Sequence, residues 1–174
     1  MVNDIIVVDD CISKNYQNLI ERIIDEDPSF KWVYHEDLTK HFVSEKTVGF
    51  SHLFLHEAKY QSDYWGIFLP LVYEACEKQN ININTVIRGR TFLQVPTIKT
   101  TEYDSPHIDM EMGHTVCLYY VNNTDGDTFF FNGKNIIKRV SPKKGRCVLF
   151  DGKIFHASSK PTKEKRIVIN YNFI

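Results

Sequence analysis

The residues best equipped for chemistry lie in the run Pro106-His107-Ile108-Asp109-Met110. On an extended strand, side chains at positions i and i+2 face the same way, so His107 and Asp109 can hold one metal ion between them. A third ligand must come from elsewhere, and His156 qualifies because it follows another strand-like run in LFDGKIFH. Two imidazoles and one carboxylate on one side of an ion leave the other side open, the donor set of reactive non-haem iron(II) sites. The H-x-D spacing alone carries little weight. It recurs at His35-Glu36-Asp37, just before a polar stretch, and that copy is read as chance.

Arg166 ends the polar run KPTKEK and opens the last apolar strand, RIVINYNF. Taken alone it reads as a solvated strand end. Under period-2 alternation, however, Arg166, Val168 and Asn170 share a face, and a guanidinium turned into a barrel interior requires an anion. A dicarboxylate cosubstrate would supply one.

The elements that must position these groups change character along the chain. Ile5 to Val8 is a short β-branched run. Ser13 then opens an amphipathic stretch with Tyr16, Leu19, Ile20, Ile23 and Ile24 at helical spacing. A second helix is expected from Ser62 to Lys78, with Ser62 as N-cap and Trp65, Phe68, Leu69, Val72 and Cys76 on one face; Pro70 should kink or split it. From about Ile83 the pattern predicts strands over Thr85–Val95, Thr115–Val121, Asp127–Phe131, Ile136–Val140, Arg146–Phe150 and Arg166–Phe173, joined by Gly-, Asn- and Pro-containing turns. Many short strands after helices predict a mostly β, double-sheet jelly roll buttressed by helices. One domain over residues 1–174 is expected, with a helical support region over about 1–83 and the jelly-roll core over 84–174.

The stretches PHIDMEMGHTVCLYYVNNTDGDTFFF and VSPKKGRCVLFDGKIFHASSKPTKEKRIVINYNF resemble the catalytic core of the 2-oxoglutarate/iron(II) dioxygenases, and within them the prolyl-4-hydroxylase-like branch. The resemblance runs from about Leu93 to Phe173. It implies a double-stranded β-helix, with His107, Asp109 and His156 as iron(II) ligands and Arg166 as the partner of the distal carboxylate of 2-oxoglutarate. It further places Tyr120 on that carboxylate and Thr128 in the same pocket; Leu118 shares a strand face with Tyr120 and would wall it. The implied reaction uses dioxygen to hydroxylate a substrate, releasing succinate and carbon dioxide. Halogenating relatives lack the carboxylate ligand, so Asp109 favours hydroxylation. Peptidyl proline is the substrate that the branch implies; a free amino acid or small molecule is the alternative. A non-oxygenase jelly roll, metal-binding or degenerate, is weighed against both.

The sequence also departs from that branch. Thr97 stands where a tyrosine is usual, with Tyr103 as a candidate replacement, and Asp125-Gly126 replaces Gly-Gly. Asn172 occupies the place of the second arginine of the nucleic-acid demethylases. Around the triad, Met110 and His114 are candidate substrate or supporting residues, His114 being otherwise a satisfied surface histidine. Lys99, Arg88 and Arg90 are the basic candidates for a second anion, as an amino-acid substrate would need. Thr100–Ser105 and Met110–His114 are expected as loops flanking the metal. The run His52-Leu53-Phe54-Leu55-His56 reads as strand, which discounts a helical zinc pair.

Composition sets the limits. The 174 residues carry a formal net charge of −1, which gives no broad footprint for nucleic acid or anionic membrane. Twelve Phe and nine Tyr support a packed core. The four cysteines, Cys11, Cys76, Cys117 and Cys147, form no CxxC pair and read as buried free thiols. The acidic N-terminus lacks the features of a secretory signal, and the longest apolar run, Tyr64 to Cys76, is too short to span a bilayer. A cytoplasmic protein is expected, with a protein, peptide or small-molecule substrate and neither nucleic-acid nor membrane partners.

Overall fold

The computed structural model describes residues 4–38, 46–98 and 101–174. In chain order the elements are β1 (Ile6–Val8), α1 (Lys14–Asp25), β2 (Val33–His35), β3 (Gly49–His56), β4 (Lys59–Tyr60), α2 (Trp65–Glu77) and β5 (Val86–Gln94). They continue with β6 (Thr115–Tyr120), β7 (Thr128–Asn132), β8 (Asn135–Val140), β9 (Cys147–Asp151), β10 (Phe155–Ser158) and β11 (Arg166–Phe173). The larger sheet runs β1-β9-β6-β11-β5-β3-β2, with β4 added to β3, and the smaller runs β10-β7-β8. All pairings are antiparallel.

Helix α1 starts where expected. Ser13 is its N-cap and accepts from the Tyr16 amide, satisfying one of the first-turn donors that have no intrahelical partner. Helix α2 begins three residues later than expected, at Trp65. Ser62 instead accepts from the Tyr64 amide and caps the preceding turn. Pro70 lies on the exposed side inside a helix that continues past it. The missing donor therefore leaves only a carbonyl one turn earlier to solvent, and nothing splits.

The strands of the larger sheet sort their side chains by alternation. On β11, Ile167, Ile169, Tyr171 and Phe173 pack with Ile20, Ile24, Phe68 and Val72 of the helices, while Val168 faces the space between the sheets with Leu118, Tyr120, Phe130 and Phe150. Both faces of β6, β9 and β11 are thus covered, which is why these strands read as nearly continuous apolar runs. Each large side chain buried this way contributes about 1.5–3 kcal/mol. The Tyr171 hydroxyl is satisfied by donating to the Phe68 carbonyl at 2.7 Å, tying α2 to the sheet. All four cysteines are buried and free.

Two features differ from expectation. The region expected as helical support also supplies strands: β3, whose His52–His56 stretch did read as strand, pairs along β5 and extends the larger sheet. His52 and His56 lie on that strand, and both His52 nitrogens are occupied, by the Lys31 carbonyl and the Ser62 hydroxyl. The segment Phe155–Ser158 is the edge strand β10, paired to β7; its exposed Phe155 and short length concealed it. Among the described residues, no helix is long and apolar enough to cross a membrane.

Candidate active site

Strand pairing sets the site. His156 sits on β10 opposite Phe130. His107 is not on a regular strand, contrary to the sequence reading: it makes a one-residue bridge to His156, with each amide donating to the other's carbonyl at 3.0 Å. Pro106, just before it, has no N–H with which to extend the ladder. The bridge brings the two rings to 4.8 Å between centroids. Asp109 follows two residues later in a bend, not on a strand, and the ligand atoms of His107, Asp109 and His156 all lie within 4.8 Å of one another.

Each histidine is oriented in the same way. Nδ1 of His107 lies 3.0 Å from the Ser105 carbonyl, and Nδ1 of His156 lies 3.1 Å from that of Ile154. A carbonyl can only accept, so Nδ1 carries the proton and Nε2 is the ring nitrogen with a lone pair to offer an ion. Burial lowers the His156 pKa to about 4 against the pull of Asp109, so its imidazole is neutral at neutral pH. For Asp109, burial works against the charge, but His156, Arg90 and Arg88 outweigh it and hold the carboxyl well below the usual range. The donor set is ready to hold a divalent cation.

Four side chains from β5 and β11 hold the Asp109 carboxylate. Nδ2 of Asn172 donates at 2.8 Å and Nδ2 of Asn170 at 3.0 Å, both to Oδ2. The guanidiniums of Arg88 and Arg90 each approach Oδ1 to 3.3 Å. Arg90 pairs across the strands with Asn170, and Arg88 with Asn172.

At the other end of the same two strands, Arg166 pairs with Gln94. Arg166 is only 4% exposed, so the reading of a solvated strand end is excluded. Its hydrogen-bond acceptors are all neutral: the Gly126 carbonyl at 2.7 Å, Thr128 Oγ1 at 2.9 Å and Gln94 Oε1 at 3.1 Å. Gly126 must be glycine, because a Cβ there would stand 2.7 Å from Arg166 Cδ and 2.8 Å from the Ser159 carbonyl. Asp125 has a different task, accepting from the Thr162 and Lys163 amides in the turn before Arg166. Only the second position of the usual Gly-Gly is therefore sterically required here.

Between the two ends lie Phe92, Val168 and Leu118. One cavity is lined by His107, Asp109, His156, Arg166, Thr128, Leu118, Asn170 and Arg90, together with this apolar band. Tyr120 is fully buried and not part of the lining; its hydroxyl donates to Thr128 Oγ1 at 2.7 Å. Three further candidates stand elsewhere. Tyr103 packs against Phe129 and Phe131 on the outer face of the smaller sheet, because odd-numbered β7 residues point away from the cavity. His114 is 1% exposed, not a surface histidine, and its ring lies over Gly152, where any Cβ would collide with it. Met110 is half-buried outside the cavity lining. Lys99 and Thr100 lie outside the described residues. The chance H-x-D copy is apart from the site: His35 meets Ser51, and Asp37 accepts from the Thr47 amide.

Sequence reasoning missed Gln94, Asp104 and Asn172 as members of this site, and named Arg88 only as a candidate partner for a substrate anion, not as a partner of Asp109. Gln94 and Asn172 fall on the inward faces of their strands by simple alternation, but the pairing that makes them neighbours of Arg166 and Asp109 is a tertiary fact.

Residues 93–174 match the sequence model of the 2OG-Fe(II) oxygenase superfamily. The matched segment begins at the end of β5 and carries the triad, Thr128 and Arg166. Solved structures of oxygenases share the fold across nearly the whole chain. A prolyl hydroxylase from Trichoplax adhaerens, in complex with a hypoxia-inducible-factor peptide, is 13% identical, with 99% of this chain and 84% of that one covered and a TM-score of 0.69. A Pseudomonas putida prolyl-4-hydroxylase is 12% identical, with 97% and 91% covered and a TM-score of 0.65. HygX from Streptomyces hygroscopicus, with nickel, 2-oxoglutarate and hygromycin B bound, is 8% identical, with 97% and 82% covered and a TM-score of 0.62. No curated protein matches the chain in sequence. The mostly β double-stranded β-helix and the oxygenase resemblance stand, and iron(II) and 2-oxoglutarate are the cofactor and cosubstrate of that superfamily.

Proposed function

We propose that the chain is an iron(II)- and 2-oxoglutarate-dependent dioxygenase that hydroxylates its substrate. One observation carries the reading: a His-Asp-His face and a buried arginine with only neutral hydrogen-bond acceptors occupy opposite ends of one cavity, with an apolar band between. When bound, iron(II), 2-oxoglutarate and dioxygen supply the oxidation, one oxygen atom converting the cosubstrate to succinate and carbon dioxide and the other entering a substrate C–H bond.

The chain's own residues bind, orient and exclude water. His107 and His156 offer Nε2 to the metal, and Asp109 offers its carboxylate. Arg166 takes the distal carboxylate of the cosubstrate through its planar fork. Thr128 Oγ1 already accepts from Tyr120 and Arg166, so its own hydroxyl hydrogen is left to donate to the same carboxylate. Tyr120 acts from behind, fixing Thr128. Phe92, Leu118 and Val168 keep the middle of the cavity dry, which strengthens every charge interaction there. The unit is read as one catalytic domain, and the four free thiols fit a reducing compartment such as the cytoplasm.

Peptidyl proline is the first substrate reading, because two proteins of the same fold are prolyl hydroxylases. A free amino acid or other small molecule is the second, favoured by Arg90 and Asn170 on the cavity wall. The test is 2-oxoglutarate turnover against blocked prolyl peptides and free amino acids under labelled dioxygen. The expected result is succinate that requires iron, together with a product heavier by one labelled oxygen. Iron-loaded protein that leaves 2-oxoglutarate unconsumed throughout would contradict the proposal.

A further inference from the structure

Four polar side-chain atoms among the described residues are buried without a hydrogen-bond partner, and two of them belong to the cavity wall: Nε of Arg90 and Oδ1 of Asn170. These residues face each other directly across β5 and β11. The Asn170 amide cannot simply turn over, because its Nδ2 is committed to Asp109 Oδ2 at 3.0 Å. A buried donor and a buried acceptor therefore belong to facing residues without bonding each other, each bearing the penalty of an unmade bond.

The charges nearby point to what completes them. Asp109 is the sole carboxylate lining the cavity among the described residues, and the guanidiniums of both Arg88 and Arg90 already lean on it. A divalent ion on Asp109 would draw the same negative charge away from them. Even with one carboxylate of the cosubstrate at the metal, this end of the cavity keeps positive charge in surplus, in surroundings that screen it poorly. Arg166, at the far end, is too distant along the strands to share that excess.

We infer that the primary substrate presents a free α-carboxylate to Arg90 and an N–H on the adjacent carbon to Asn170. That chemistry has two sources, a free amino acid and the C-terminal residue of a peptide. The inference rests on the dioxygenase reading and goes beyond it by naming the group that anchors the substrate. A prolyl residue inside a peptide chain offers a carbonyl and no carboxylate, so the second substrate reading, or a C-terminal residue, is favoured over internal peptidyl proline.

The test uses the full chain loaded with nickel(II) and 2-oxoglutarate, so that binding is read without turnover. The probes are the free L-amino acids, their primary amides, and Gly-Xaa dipeptides with free and amidated C-termini. At least one free acid should bind about 100-fold more tightly than its amide. A free amino acid as the better ligand assigns the first source, and the dipeptide acid assigns the second. This preference is read on the unaltered protein and needs no variant to fold. Arg90→Gln should then reduce it to within about 3-fold, and Arg90→Lys should restore part of it. Equal binding of acids and amides, binding of none of the acids, or a preference that survives Arg90→Gln would each overturn the inference. If the unaltered protein fails to bind 2-oxoglutarate with its metal, the dioxygenase reading fails instead, which separates the two results.

Discussion

Gln94 bridges Arg166 and Asp104. Its Oε1 accepts from Arg166 Nη1 at 3.1 Å, and its Nε2 donates to Asp104 Oδ2 at 3.4 Å. Asp104 is itself buried and held by the hydroxyls of Thr47 at 2.7 Å and Ser158 at 2.8 Å. The guanidinium at the far end of the cavity from the metal ligands is thus fixed by a chain of polar contacts that reaches the loop before the metal-binding segment. Gln94→Leu should orphan one Arg166 donor and weaken 2-oxoglutarate binding by about 1–3 kcal/mol, measured by calorimetry with an inert metal. Unchanged affinity would show that Arg166 holds its position without Gln94.

Arg166 itself should matter more. Arg166→Ala is expected to cost about 2–5 kcal/mol in 2-oxoglutarate affinity, and Arg166→Lys a substantial part of that despite keeping the charge, because a point charge replaces a planar fork. Thr128→Val should cost about 1.5–3 kcal/mol, the value of a hydrogen bond to a charged group. Tyr120→Phe should cost less, about 0.5–1.5 kcal/mol, since its hydroxyl reaches the cavity only through Thr128. A larger loss from Tyr120→Phe than from Thr128→Val would reverse that order of contact.

The glycine at 126 gives a steric test of the same end. Gly126→Ala should displace the Arg166 side chain and lower 2-oxoglutarate affinity at least about 10-fold, because the new Cβ meets both the arginine and backbone. Asp125→Gly should leave that affinity near the original and lower thermal stability, having lost only the contacts that brace the following turn. Matching losses of affinity in both variants would mean that the turn, not the close approach, positions Arg166.

At the metal end, His107→Ala, Asp109→Ala and His156→Ala should each abolish tight iron(II) binding, while His35→Ala should not, its ring being engaged by Ser51 outside the cavity. Metal titration on each variant decides this. Equal losses from His35→Ala would place the ion at the other H-x-D run.

Much of this was legible in the amino-acid sequence because alternation is a strong signal when both faces of a strand are buried. β11 was read to the residue, and Arg166, Val168 and Asn170 do share its inward face. His107, Asp109 and His156 were candidates by residue type, order and family resemblance together, and the fold brings their ligand atoms within 4.8 Å of one another. What local pattern could not reveal was partnership. Arg88 and Arg90 were read as candidate partners for a substrate anion, and only laying β5 against β11 shows that both reach Asp109. Tyr120 was read as touching the cosubstrate, yet Thr128 stands in front of it, since a hydroxyl's reach depends on what the opposite sheet inserts. Tyr103 was a candidate replacement for the tyrosine absent at Thr97, but the loop carries it to the outer side of β7.

The central claim is that one cavity holds a metal by His107, Asp109 and His156 and a 2-oxo acid between that metal and Arg166. The most direct measurement is the visible absorption of the protein with iron(II), titrated with 2-oxoglutarate in the absence of oxygen. A weak charge-transfer band should grow to saturation with 2-oxoglutarate, be lost with His156→Ala, and require much higher cosubstrate in Arg166→Ala. Protein that binds iron(II) yet shows no such band at saturating 2-oxoglutarate would contradict the account.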